Sequence, residues 1–108
     1  MSEVETVEQE IQRKGLTAPR VTPDRIKAVI RSEQFHVFEG SCLTVCCLTL
    51  ANGFTVTGES ACASPENFNK EVGERVSRDN ATNKIWALEG YLLKQQLHDA
   101  YSDPAVGD

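Results

Sequence analysis

The sequence predicts one α+β domain: an N-terminal strap and short helix, a β-hairpin with a candidate third edge strand, and a long C-terminal helix with a candidate bend near Asp79-Asn80. Three observations predict it. Thr22-Pro23-Asp24 and Ser64-Pro65-Glu66 each join a capping hydroxyl, a proline with no N–H to lose and a carboxylate at the positive end of a helix. Two β-rich runs flank Asn52-Gly53, a dipeptide that accepts the positive φ angles of a tight hairpin turn. With 108 residues, 40% hydrophobic and 25% charged, the chain has a globular composition and the length of a single domain.

Residues 1–10 carry four glutamates and no base, and Val4, Val7 and Ile11 recur at helical spacing before Gly15 stops them, so residues 1–15 read as an acidic, frayed leader. From Leu16 to Thr22 the chain should be an extended strap, because Pro19 and Pro23 bias the residues before them away from the helical region. A short helix follows from Pro23 to Ser32 or Glu33, with Ile26, Val29 and Ile30 on one face. Phe35 and Val37 then share one side of the candidate edge strand before a turn at Glu39-Gly40.

With Asn52 and Gly53 as the two loop residues, the hairpin pairs Ala51 with Phe54, Thr49 with Val56, Cys47 with Gly58, Val45 with Ser60 and Leu43 with Cys62, and this is its apolar face. The other face pairs Leu50 with Thr55, Leu48 with Thr57, Cys46 with Glu59 and Thr44 with Ala61. A helix should start at Pro65, braced by the i, i+4 pairs Glu66/Lys70, Glu71/Arg75 and Glu74/Arg78. Its apolar stripe of Phe68, Val72 and Val76 loses phase before Ala81, Ile85, Leu88 and Leu92, which motivates the bend. Continued to Asp99 it would be about 52 Å long, beside a body about 30 Å across, so it needs a break or a partner. Trp86, Leu93 and Leu97 form a second stripe, with Tyr91 besides. A homo-oligomer, with a dimer favoured, is therefore expected through Trp86, Leu88, Tyr91, Leu92, Leu93 and Leu97. Gly90 marks either a close backbone crossing or a small tolerated helix defect. Residues 16–101 form the domain and 102–108 a disordered tail.

The formal net charge is −5, but the acidic leader leaves twelve acids against eleven bases in the rest. Between Ile11 and Ser32, Arg13, Lys14, Arg20, Arg25, Lys27 and Arg31 face only Asp24. That stretch can meet a phosphate or an acidic partner; the plainer reading is a solvated face countered by the leader. Arg20, Arg25, Lys27 and Arg31, with Thr55, Thr57 and Glu59 on the second hairpin strand, are the candidate partner-binding residues. The balance argues against nucleic acid, and the absence of a long apolar run or a basic-then-apolar start argues for a cytosolic chain with no membrane contact.

Four cysteines invite a metal or disulfide, yet the hairpin pairing places Cys42 and Cys46 on one face and Cys47 and Cys62 on the other, with His36 and His98 far away. Reduced thiols, no metal, no intramolecular disulfide and no cofactor are expected. Gly58-Glu59-Ser60-Ala61-Cys62 is only a broken nucleophile elbow, and no phosphate-cradling or zinc-protease motif occurs, so no enzyme is expected.

Four blocks carry a family likeness: KGLTAPRVTP (Lys14 to Pro23), LTVCCLTLANGFTVTGESAC (Leu43 to Cys62), ENF (Glu66 to Phe68) and KIWALEGYLL (Lys84 to Leu93). In these the chain resembles the phage and prophage Gp-forty-nine/sixty-six family of tailed phages, with Cys47 a departure where an aliphatic residue is usual. The resemblance implies expression in a bacterial host cytoplasm and supplies no catalytic residues. The expected function is a small non-enzymatic phage accessory protein that binds a host or phage macromolecule. The alternative is an oligomeric binder or sequestering protein for a nucleotide or other phosphorylated small molecule, held by Arg20, Arg25, Lys27 and the Thr55/Thr57 face.

Overall fold

The computed structural model describes residues 6–16 and 18–101; the expected disordered tail at 102–108 and the first five residues of the leader lie outside them. The order is α1 (Val7–Arg13), α2 (Pro23–Val29), β1 (Ile30–Val37), β2 (Thr44–Leu50), β3 (Thr55–Ser60), a 3₁₀ turn (Pro65–Asn67) and α3 (Lys70–Tyr101). The strands form an antiparallel sheet in the order β1-β2-β3, and α3 crosses one face of it. The fold is α+β.

Helix α1 begins with a capping box, in which Thr6 Oγ1 accepts from the Gln9 amide at 3.1 Å and the Gln9 side chain accepts from the Thr6 amide at 2.9 Å. It ends at Gly15, whose φ of +71° suits a residue without a Cβ. None of its residues is buried. Helix α2 starts where expected, with Thr22 Oγ1 accepting from the Arg25 amide at 3.2 Å and Pro23 in the first turn, and it buries Ile26 and Val29. It stops at Val29, short of the expected Ser32 or Glu33, because Ile30 is already extended and paired with Leu50. Ladder hydrogen bonds to β2 along the eight residues Ile30–Val37 outcompete one more helical turn, and they turn the candidate edge strand into a full one. The register shifts between Ile30 and Ser32, leaving Arg31 as the bulged residue.

The hairpin register differs by one residue from the expected pairing. Leu48 lies opposite Val56, Cys46 opposite Gly58 and Thr44 opposite Ser60. The cause is the loop, which uses three residues instead of two. The Leu50 amide donates to the Phe54 carbonyl at 2.8 Å, the Gly53 amide to the Leu50 carbonyl at 2.9 Å, and Gly53 takes φ +91°. A one-residue shift exchanges the faces of one strand relative to the other. Thr44, Cys46, Leu48 and Leu50 are therefore buried with Val56 and Gly58, while Thr55, Thr57 and Glu59 lie exposed on the open face.

Helix α3 starts at Lys70, not Pro65. Residues 65–67 form the 3₁₀ turn, and Asn69 Oδ1 caps α3 by accepting from the Val72 amide at 2.9 Å. The helix then runs 32 residues, continuous through Asp79-Asn80. It keeps phase because the residues facing the sheet are Gly73, Ser77, Ala81 and Ile85, spaced by four, whereas Phe68 and Val72 stay partly exposed. Small side chains bring the two layers close: a Cβ on Gly58 would stand 2.2 Å from the Ala81 nitrogen. The expected Glu66/Lys70 pair gives way to Lys70–Glu74 at 2.8 Å, and Arg78 reaches out of the helix to Glu33 on β1 at 2.7 Å. Around Gly90 a Cβ would meet nothing within 4 Å, so among the described residues no other backbone crosses there.

Candidate functional site

Thirty-two residues make α3 about 48 Å long, so it outruns the sheet. The stripe that starts at Gly73 and is buried as far as Ile85 continues as the partly exposed Leu88 and Leu92, one and two turns further. Under them the end of α2 supplies Val29 and the hairpin tip supplies Leu50 and Phe54. The result is an apolar groove of about 340 Å³, with Arg25 and Glu89 in its wall joined by an ion pair of 2.9 Å. Phe54 is 55% exposed and Leu92 43%, so the groove is open to a partner. Of its residues only Arg25, Leu88 and Leu92 were legible as candidates; Val29, Leu50 and Phe54 join them because β1 leaves α2 so early and the three-residue loop sets Phe54 opposite Leu50.

The basic stretch does not form a free cationic surface. Arg20 Nη2 bonds Glu8 Oε2 at 2.6 Å, with both side chains largely covered, and Lys14 pairs with Glu10 at 2.9 Å. The Arg20 hydrogen bond, with one from Gln12, holds the Glu8 carboxyl below the usual carboxylate range. Arg25 is paired with Glu89, and Arg31 donates to the Ala28 carbonyl one turn back. Lys27 is exposed on α2. The acidic leader thus countercharges the strap. Thr55, Thr57 and Glu59 are on the open face of the sheet, opposite Thr49, Cys47 and Val45, and so away from Arg20 and Arg25.

On α3, Trp86 is 40% and Tyr91 75% exposed, whereas Leu93 and Leu97 are half-buried. Leu93 lines a second hollow with Arg20, Val21 and Gln96, so the strap covers part of the second apolar stripe.

The cysteines depart from the expected split. Cys46 is fully buried in the core, which pushes its thiol pKa up. Cys47 is on the open face, but Cys62 stands near Cys42, not on the far side. Both line a hollow of about 290 Å³ under the first turns of α3. The expected pairing had the wrong parity for β3, and that concealed this pair. Among the described residues no three His, Cys, Asp or Glu side chains cluster as metal ligands. Gly58-Glu59-Ser60 is extended strand rather than a strand-to-helix elbow. No helix among the described residues is long and apolar enough to cross a membrane.

Residues 21–97 match the family model described as phage protein (N4 Gp49/phage Sf6 gene 66) family, which spans α2, the sheet and most of α3. No curated protein and no solved structure matches the chain.

Proposed function

The chain belongs to the phage protein (N4 Gp49/phage Sf6 gene 66) family, and on that premise we propose that it is a small non-enzymatic accessory protein that acts by binding a host or phage protein in the bacterial cytoplasm. The observation that carries this reading is the groove in which Leu88 and Leu92 overhang Val29, Leu50 and Phe54. Partners commonly bury such apolar clefts with a matching side chain or helix face, and a flanking ion pair adds orientation. The phosphate-binding alternative loses support, because Arg20 and Arg25 already spend their charge on Glu8 and Glu89.

A photo-crosslinking residue placed at Phe54 tests the reading in phage-producing cells. One host or phage protein should be captured in near-stoichiometric yield. Leu92→Glu should abolish capture, and the same probe at Thr57 should give none. Equal capture from both positions, or capture that survives Leu92→Glu, refutes it. A second reading, a homodimer, draws on the exposure of Trp86 and Tyr91 outside the groove. Sedimentation decides it: a dimer that Trp86→Glu dissociates supports it, and a monomer at high concentration removes it.

A further inference from the structure

The β2-β3 ladder closes with Thr44 opposite Ser60. Two residues beyond these, outside the ladder, come Cys42 and Cys62, which line one hollow. Both are half-buried at the wall of that hollow, which also holds Phe68 and Val72. The register, continued two residues past Thr44 and Ser60, sets the two cysteines opposite each other, and opposed residues of an antiparallel pair keep Cα atoms about 4.5–5.5 Å apart, within the span a disulfide accepts. The other two cysteines are excluded from this chemistry by position: Cys46 is sealed in the core, and Cys47 faces the opposite side of the sheet.

We propose that Cys42 and Cys62 form a reversible dithiol–disulfide site that is oxidised by a low-molecular-weight disulfide of the glutathione type. Burial pushes the Cys62 thiol up; the exchange can open at either sulfur, and the steps balance equally when it opens at Cys42. The Cys42 thiolate, having lost a proton to solvent, attacks one sulfur of the disulfide and expels a thiolate, leaving a mixed disulfide on Cys42. Cys62 then loses its proton and attacks the Cys42 sulfur, expelling the second thiolate. Two protein thiols are oxidised and one small disulfide is reduced to two thiols. The new bond ties the chain entering β2 to the chain leaving β3. It thereby pins the connection from Ala61 to Asn69 over the hollow, whereas the reduced pair leaves it free to open.

The full-length reduced protein, equilibrated with a glutathione redox buffer, quenched, denatured and labelled with a maleimide, reads this out by intact mass. The reduced chain takes up four labels, one for each cysteine. The oxidised chain should take up two, and peptide mapping should link Cys42 to Cys62. Cys47→Ser should oxidise in the same way. Cys62→Ser should stop at a single glutathione adduct on Cys42. Because an oxidising buffer alone could trap unfolded chains, reduced native protein is also treated with phenylarsine oxide, which bridges paired thiols. One arsenical per wild-type chain and none on Cys62→Ser are expected. Four labels under every buffer, a link that includes Cys46 or Cys47, or equal arsenical uptake by Cys62→Ser overturns the proposal.

Discussion

Gly58 of β3 lies so close to α3 that a Cβ built on it would stand 2.2 Å from the Ala81 nitrogen and 2.4 Å from the Ser77 carbonyl oxygen. Both neighbours are backbone, so no rotamer change relieves the clash and the helix must lift from the sheet. Overpacking of a rigid core typically costs about 1–3 kcal/mol, and Gly58→Ala should cost about 3 kcal/mol or more by urea denaturation. A loss under about 0.5 kcal/mol would show that the layers are not in backbone contact.

Gly90 is the opposite case, a helical glycine whose missing Cβ would meet nothing within 4 Å. Gly90→Ala should raise stability by about 0.5–1 kcal/mol through helix propensity alone. Destabilisation would place another backbone against that position, as in a helix-mediated dimer.

Thr44 is 1% exposed, and its hydroxyl, packed against Gly73, has no hydrogen-bond partner among the described residues. Its isostere valine removes that unpaired group without opening a cavity. Thr44→Val should therefore be stabilising by about 1 kcal/mol in thermal or urea unfolding, since an unsatisfied buried hydroxyl costs about 1–3 kcal/mol.

Arg78 makes two bonds to Glu33, at 2.7 and 3.3 Å, and its guanidinium lies 5.2 Å from the centre of the Phe35 ring. This ties α3 to the outermost strand, β1. Both side chains are about 40% exposed, so solvent screening limits the pair to roughly 0.2–1 kcal/mol and the ring contact to a similar amount. A double-mutant cycle with Glu33→Gln and Arg78→Met should give a coupling of about 0.5 kcal/mol that shrinks at high salt. Arg78→Lys should recover only part of it, because an ammonium cannot fork across a carboxylate.

The Glu8–Arg20 bond predicts a pH dependence. Glu8 is more acidic in the folded chain than in the unfolded one, chiefly through the Arg20 hydrogen bond. Its contribution is therefore complete above the unfolded carboxylate range and is lost as pH falls through the lowered folded value. The melting temperature of the parent should exceed that of Glu8→Gln at pH 7, and the gap should close in acid. A gap that widens in acid contradicts the assignment.

The sequence by itself determined the α+β class, the start of α2 at Thr22-Pro23-Asp24, the hairpin around Asn52-Gly53 and a long C-terminal helix. Each rests on local chemistry: a capping hydroxyl, a proline without an N–H, a residue tolerant of positive φ. Only the tertiary structure decided the hairpin register, the early end of α2 at Val29 and the face that α3 presents. Those depend on contacts between segments far apart in sequence, and hydrophobic periodicity does not report them. The helix face that binds the sheet carries Gly73, Ser77 and Ala81, chosen for smallness and not for apolarity, so the stripe of Phe68, Val72 and Val76 drew attention to the wrong side. The open groove and the Cys42/Cys62 pair follow from the same decisions. A loop of three residues instead of two moves one strand by a single position, and in a sheet with one covered face that step chooses which side chains become neighbours.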